Sequence, residues 1–385
     1  MRVGIDGRAF QPGFKGHLGR GIGLYAAELV RALVRIGGVE LVIHFDPWRP
    51  IDEARVPAGV GRTWYPRGPL GRPLHHHLAT QLLVPAALDR NGLDLFHFLA
   101  MQDAPLRMTG RCVITVHDVI LFAMQSAYEE RKRLRYRVVR MLERAVVHRA
   151  SLILTDSEAS RDDIVRLLQI DPARVRVATL GVDARFAPCS DSAIAALRAR
   201  LGLERPYLLY MGGIDVRKNV PRLLDAYSRV RARRADPPEL VLAGAIEREA
   251  GFGALREQAR ALGLDSALRF VGYVADPDLP VLLAGAEAFV YPSFYEGFGL
   301  PPLEAMACGT PVVASRASSL PEVLGDGALL VAPEDTEALA AAIGRILDDP
   351  ELAADLGRRG RARAAGFTWE RTAHATLAAY RELTR

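Results

Sequence analysis

The chain has 385 residues, half of them hydrophobic and a quarter charged, with 50 Lys and Arg against 45 Asp and Glu for a net charge of +5. That length exceeds what one hydrophobic core usually spans and predicts two domains. The positive charge is arginine spread along the whole chain, with lysine only at 15, 132 and 218 and aromatic residues at 7%, so no nucleic-acid partner is expected.

The opening MRVGIDGRAF reads as a short buried strand and lacks the features of a secretory signal, and no apolar run is long enough for a membrane span. Cys112, Cys189 and Cys308 lie far apart without a CxxC pair, so neither a disulfide framework nor a zinc site is expected. A cytoplasmic protein is the expectation.

Short apolar runs ending in Gly, Asp or His alternate with helical patterns throughout, which predicts parallel sheets wrapped by helices. In the first half the strands are expected at 2–5, 41–45, 95–98, 112–116 and 152–155, with helices at 23–36 and 129–148 among them. In the second half they are expected at 207–211, 240–243, 268–271, 288–291 and 311–314. Helices there are expected at 191–201, 220–234, 253–262, 302–308 and 336–348. The reading is α/β, two doubly wound domains in tandem, 1–183 and 184–368. A terminal helix, 369–385, has no strand after it and needs a surface to cover. In such sheets ligands bind beyond the carboxyl ends of the strands, so the residues just after strands are read for chemistry.

The most informative stretch is YPSFYEGFGLPPLEAMACGTPVVAS, 291–315. Pro301 and Pro302 sit where a helix starts and Gly309 where it ends. This spacing predicts Glu304 in the first helical turn, Glu296 in the loop, and the amides of Gly297, Phe298, Gly299 and Leu300 facing a bound anion. On geometry alone Glu304 has two readings, a helix cap or a ligand contact. A second stretch is YLLYMGGIDVRKN, 207–219. Gly212 and Gly213 end a strand, Asn219 is expected to cap the next helix, and Arg217 and Lys218 stand just before it, so two charges and a helix N-terminus converge where a diphosphate would be held. A solvated basic loop is the plainer reading, but Lys218 is one of only three lysines.

Gly21 and Gly23 open the helix of 23–36, and with Ala26 and Glu40 they give a weak dinucleotide fingerprint, because Gln11 to Arg20 separate them from the preceding strand. His117 in VHD and His97 end neighbouring strands, where a histidine is either a site residue or held by its own loop. His75, His76 and His77 are consecutive and cannot all face one ion on a helix. Asp276-Pro277-Asp278 resembles a metal-binding DxD but reads as a helix N-terminus. Residues 129–149 carry an arginine stripe beside an apolar one. They read either as a solvated face over a packed helix or as a peripheral membrane contact at the inner face of the membrane.

On GGIDVRKN, the EGFGLPPLEAMACGTPVVAS block, the early GxG loop and VHD, the chain resembles the retaining glycosyltransferases of family four, which have the GT-B fold of two Rossmann-like domains facing across a cleft. Its opening is similar to bacterial polysaccharide and O-antigen assembly enzymes, many of them mannosyltransferases that use GDP-mannose. The resemblance implies an N-terminal acceptor-side domain, a C-terminal nucleotide-sugar-binding domain, and a last helix that crosses back to the first domain. It implies transfer of a hexosyl group from a nucleotide diphosphate sugar donor to a glycan or lipid-linked acceptor; no cofactor is expected, and no divalent metal, because two cations and two helix N-termini would already surround the leaving group. Arg217 and Lys218 would bind the diphosphate, Glu304 the ribose, Glu296 the transferred hexose, and His117 the sugar near the reaction centre. Tyr273 and Val274 would meet the base, and Gly21 and Gly23 the diphosphate. A nucleotide-sugar epimerase on the same scaffold is the alternative.

Overall fold

The computed structural model describes every residue except 13–20, 68–76, 89–91 and 130–132. Most of the loop Gln11 to Arg20, together with His75 and His76, therefore lies outside the described residues, as does the side chain of His77. The chain forms two compact units: Met1–Gly181 with Thr368–Arg385, and Val182–Phe367.

The first unit is built on seven parallel strands in the order β3-β2-β1-β4-β5-β6-β7. They are β1 (Arg2–Asp6), β2 (Glu40–Phe45), β3 (Gly61–Trp64), β4 (Leu95–Phe98), β5 (Cys112–Thr115), β6 (Leu152–Thr155) and β7 (Val175–Val177). All pairings are parallel, so every carboxyl end reaches one edge of the sheet. β4, β5 and β6 are buried residue after residue, as strands covered on both faces must be. The outermost strands β3 and β7 were not expected from the sequence. β3 is exposed at nearly every position, so it has no apolar run to announce it.

The last helix, Trp369–Thr384, packs against the helix Ile22–Ile36 in this unit. A buried chain of hydrogen bonds fixes it there. Tyr380 Oη meets His97 Nδ1 at 2.6 Å, His97 Nε2 meets Thr115 Oγ1 at 2.8 Å, and Thr115 Oγ1 meets Tyr25 Oη at 2.8 Å. Thr372 Oγ1 donates to the carbonyl of Thr179 at 2.6 Å, and Arg35 pairs with Glu370 at 2.9 Å.

The second unit has six parallel strands in the order β10-β9-β8-β11-β12-β13. These are β8 (Tyr207–Met211), β9 (Glu239–Ala243), β10 (Leu268–Gly272), β11 (Ala288–Tyr291), β12 (Val312–Ser315) and β13 (Ala328–Val331). The central β8 and β11 are fully buried. The helices Asp191–Leu201 and Thr336–Asp348 have the bounds expected from sequence.

Two histidines of the first sheet are held neutral by burial. His44 on β2 lies between Tyr65 and Phe96, with ring centroids at 5.7 and 5.0 Å, and neither of its nitrogens has a hydrogen-bond partner among the described residues. Burial lowers its pKa to about 4 and that of His97 to about 3. An unfolded histidine titrates near 6.5, so between that pH and the folded values the unfolded chain binds more protons. Stability contributed by these groups is complete above about pH 6.5 and falls as the pH drops toward 4 and 3. His44→Phe should therefore flatten the acid limb of a pH series of urea unfolding midpoints and add about 1 kcal/mol at pH 7.5 by removing two unsatisfied nitrogens. A variant less stable than wild type at pH 5 would refute this account of His44.

Candidate functional site

In the second unit, the carboxyl ends of the neighbouring strands β8 and β11 carry a charged cluster. The chain leaving β8 passes through Gly212 and Gly213 into a single 3-10 turn, Val216–Lys218, whose start is capped by Asp215 accepting from the Arg217 amide at 3.2 Å. The turn aims Arg217 and Lys218 at one atom. Arg217 Nη1 and Lys218 Nζ donate to Glu296 Oε1 at 2.9 and 2.7 Å. Lys218 Nζ also donates to Tyr291 Oη at 2.6 Å and sits 4.8 Å from the centroid of that ring.

Glu296 is buried on the loop after β11, and its backbone is held as firmly as its carboxylate. Its amide donates to Ser318 Oγ at 2.8 Å, and Ser319 Oγ donates to the carbonyls of Glu296 and Phe298 at 2.9 Å each. Burial works against its charge, but Lys218 and Arg217 outweigh it and hold the carboxyl below its usual range. Lys218 is pulled down by burial and by Arg217, with Glu296 opposing. The carboxylate occupies the place where two cations converge.

Asn219 stands at the N-cap position of the helix Val220–Ala232, but its side chain makes no cap bond. Its backbone is left-handed, with φ 57°, and Nδ2 donates instead to the carbonyls of Pro292 and Pro333 at 3.0 and 2.8 Å. The expected cap is in fact a brace between loops, because a left-handed N-cap turns the side chain away from the helix amides. Gly213 follows β8 without a side chain of its own. The room beside it is taken by the carboxylate of Glu249, whose Oε2 accepts from the Ile214 amide at 2.9 Å.

The second helix of the cluster runs Leu300–Ala307, starting two residues before the expected position. Gly299 precedes it with φ 100°, a backbone that residues with side chains avoid. Glu304 consequently falls in the second turn, and no acidic residue lies in the first, which removes the helix-cap reading. Pro301 and Pro302 have no N–H, so the donors at this end come from the loop Gly297–Leu300. Glu304 is buried, as is Phe298, which meets Phe367 edge-on at 5.7 Å. After β10, Tyr273 is 60% exposed whereas Val274 is buried, so only the tyrosine offers a side chain to a ligand. Asp276–Asp278 forms a 3-10 turn before the helix Leu279–Ala284, and Asp278 pairs with Arg200 at 2.5 Å.

In the first unit, His117 follows β5 with both ring nitrogens engaged, Nδ1 with Asp156 Oδ2 at 2.7 Å and Nε2 with the Leu99 carbonyl at 3.0 Å. Burial disfavours its charged form, but the Asp156 carboxylate outweighs that and raises its pKa. Asp156 is a partner that the motif alone did not reveal. Tyr25 lies edge-on to the His117 ring at 4.7 Å. His97 is a structural link to the last helix. Gly21, with φ 64°, starts the helix Ile22–Ile36, and a Cβ there would meet nothing within 4 Å, while Gly23 is buried in the helix's first turn. Glu40 begins β2 and pairs with Arg2 at 3.0 Å, at the amino edge of the sheet, so the dinucleotide fingerprint fails.

Glu296→Ala should leave Lys218 buried with its charge uncompensated and destabilise the second unit by about 3 kcal/mol. The double variant Glu296→Ala/Lys218→Met should regain part of that loss. Thermal unfolding of the three proteins checks this, and a single variant within 0.5 kcal/mol of wild type, roughly the scatter of neutral surface changes, would refute it.

Two family models match the chain in succession: Glycosyltransferase Family 4 over residues 19–186 and Glycosyl transferases group 1 over residues 195–363. O-antigen chain mannosyltransferase B of Escherichia coli is 37% identical over 276 residues, 71% of this chain and 71% of that protein. MMP alpha-(1->4)-mannosyltransferase of Mycolicibacterium hassiacum is 38% identical over 62% of this chain and 56% of its own length. The structure of sucrose-phosphate synthase from Thermosynechococcus elongatus superimposes with a TM-score of 0.78 at 26% identity, covering 99% of this chain and 98% of that one. The two sequence relatives are mannosyltransferases by name, which does not favour an epimerase. With two parallel-sheet Rossmann-like units, matches to both family models and this relative of similar length, the chain belongs to the family-four glycosyltransferases of the GT-B fold and is a hexosyltransferase.

Proposed function

We propose that the chain transfers a mannosyl group from GDP-mannose to a glycan or lipid-linked glycan acceptor, with retention of anomeric configuration and without a divalent metal, at the cytoplasmic side of a membrane. The second unit binds the donor and the first binds the acceptor. The observation that carries this reading is the convergence of Arg217 and Lys218 on one carboxylate oxygen at 2.9 and 2.7 Å, a preformed site for negative charge. The sugar and base rest on the mannosyltransferase relatives.

As the bond between the anomeric carbon and the diphosphate breaks, charge collects on the departing phosphate. Two fixed cations stabilise that charge without reorganising. The loop amides of Gly297–Leu300 supply further donors, and Gly21 and Gly23 are further candidates for a diphosphate contact. Glu304 holds the ribose hydroxyls and Tyr273, with the backbone of Val274, the base. Glu296 sets the two cations and faces the transferred hexose. His117, oriented by Asp156, is the first unit's candidate for a contact with the sugar near the reaction centre. The sugar passes through an oxocarbenium-like state, and an acceptor hydroxyl attacks the anomeric carbon on the face the diphosphate leaves, its proton passing to the departing phosphate oxygen.

Kinetics separate these roles. Glu304→Gln should mainly raise the donor KM, because the ribose does not react. Glu296→Gln and His117→Ala should lower kcat more than they raise KM. Arg217→Ala and Lys218→Ala should each cost roughly 2 to 4 kcal/mol in kcat/KM. Activity should survive excess EDTA, and rescue by manganese after its loss would count against the metal-free reading. Wild-type kcat in Glu296→Gln at saturating substrates would remove that residue from the reacting sugar.

The helix Arg133–Arg149 supports a peripheral membrane contact. Met141 is 63% and Val138 42% exposed, between the exposed Arg137 and Arg144, so the apolar stripe is not wholly spent on the core. No helix among the described residues is long and apolar enough to cross a membrane. Flotation with vesicles of anionic lipid should recover the protein at low salt and release it at high salt, and Met141→Glu should abolish recovery. A protein that stays with the soluble fraction at low salt overturns the contact.

A further inference from the structure

We infer that the carboxyl ends of β2 and β3 form a saccharide-binding shelf, in which Trp48, Trp64 and Arg67 hold a pyranose ring of the glycan that receives the transferred sugar. The inference rests on the reading that the acceptor is a saccharide.

Two of the chain's three tryptophans stand in the open at this corner: Trp64 is 52% exposed and Trp48 40%, whereas Trp369 is buried. Burying rings of this size is strongly favoured, and nothing in the core requires these two to face solvent. Trp64 lines a concavity of about 360 Å³ together with Pro47, Tyr65 and Arg67, at the lower end of the range of small-molecule sites. The Arg67 guanidinium lies 5.8 Å from the centroid of the Trp48 ring. A pyranose offers just this mixture: C–H groups on its faces for an aromatic ring and hydroxyls at its rim for a guanidinium.

The shelf is rigid before any ligand arrives. Trp48 sits on the turn Asp46–Arg49, closed by Arg49 N donating to the Asp46 carbonyl at 3.3 Å. The fully buried side chain of Gln11 clamps both ends of this turn. Its Nε2 donates to the carbonyls of Asp46 and Arg49 at 2.9 and 3.0 Å, and its Oε1 accepts from the Asp46 amide at 2.8 Å. Trp64 is held from its neighbour, since the Tyr65 amide donates to the Phe45 carbonyl at 2.9 Å and Tyr65 Oη donates to Asp6 Oδ1 at 3.3 Å. Asp6 is fixed in turn by the buried Arg8, which donates to both of its oxygens. A preorganised surface loses little conformational entropy on binding. Asp46, Asp52 and Glu53 are ion-paired with arginines close in sequence, so the corner is not the cationic field that a lipid surface would favour.

The test uses the full chain and the ligand-induced change in tryptophan emission, in which the buried Trp369 contributes a background and Trp48 and Trp64 the response. Mannotetraose, maltotetraose and chitotetraose are titrated into wild type, Trp64→Ala, Trp64→Phe and Trp48→Ala, each first checked for its folded circular dichroism. At least one saccharide should change wild-type emission saturably. Trp64→Ala should weaken that binding about tenfold, the loss of one good ring contact, and raise the acceptor KM similarly while leaving the donor KM unchanged. Trp64→Phe should restore most of both. Absence of a saturable change with all three saccharides overturns the shelf, as does a Trp64→Ala protein that binds like wild type. Loss of vesicle flotation in the tryptophan variants, with no saccharide effect, would assign the corner to a lipid surface and also overturn it. The transfer reading is judged separately, by the thermal shift that GDP-mannose gives wild type. Failure there with a positive titration leaves the shelf standing.

Discussion

The constraint on which the site depends is the burial of one carboxylate between two cations. A buried ion keeps its charge only when partners replace the water it loses, and Glu296 has Arg217 and Lys218 as partners, both cations from the loop after β8 and the carboxylate from the loop after β11. Those strands are neighbours in the sheet. The ion pairs thus fasten the two loops to each other at the carboxyl edge, and the positions of Tyr291, Ser318 and Ser319 follow from satisfying what remains. An anion arriving at these cations meets a geometry already set by an anion of the protein itself.

The same logic of prior satisfaction runs through the first unit. Its buried polar groups form connected chains: Tyr380 to His97 to Thr115 to Tyr25, Arg8 to Asp6 to Tyr65, and Gln11 to the turn that bears Trp48. In a medium of low polarity each such bond is strong and each unmade bond costly. Such chains therefore hold the ends of strands and helices in single positions. His44 stands outside these chains, with both nitrogens unsatisfied among the described residues, and its neutrality is what makes that burial tolerable.

Burial also decides which surface features are available for recognition. Val274 and Tyr273 are adjacent in sequence, yet only the tyrosine reaches solvent. Trp48 and Trp64 are exposed on backbones that cannot easily move, whereas Trp369 is used in packing next to Tyr25. A large ring on a fixed backbone is a recognition element, and the same ring under a helix is a structural one.

The periodicity of apolar runs determined by itself the alternation of strand and helix, and with it two parallel sheets, because a strand buried on both faces must be apolar at successive positions. The loop motifs also determined the chemistry on offer: Arg217 and Lys218 before a helix, and Glu296 and Glu304 around another. Proline and glycine mark those turns through backbone restrictions that are local in the chain. The exposed edge strand β3 left no such mark, since its place comes from pairing with β2 and not from its own side chains. Nor could local sequence reveal that Glu296 shares one oxygen between two cations 78 and 79 residues away, that Asp156 holds His117 from 39 residues away, or that Asn219 braces two prolines instead of capping its helix. Those are contacts between distant segments, fixed by strand order and by where each buried polar group finds its partner, and only the tertiary structure decides them.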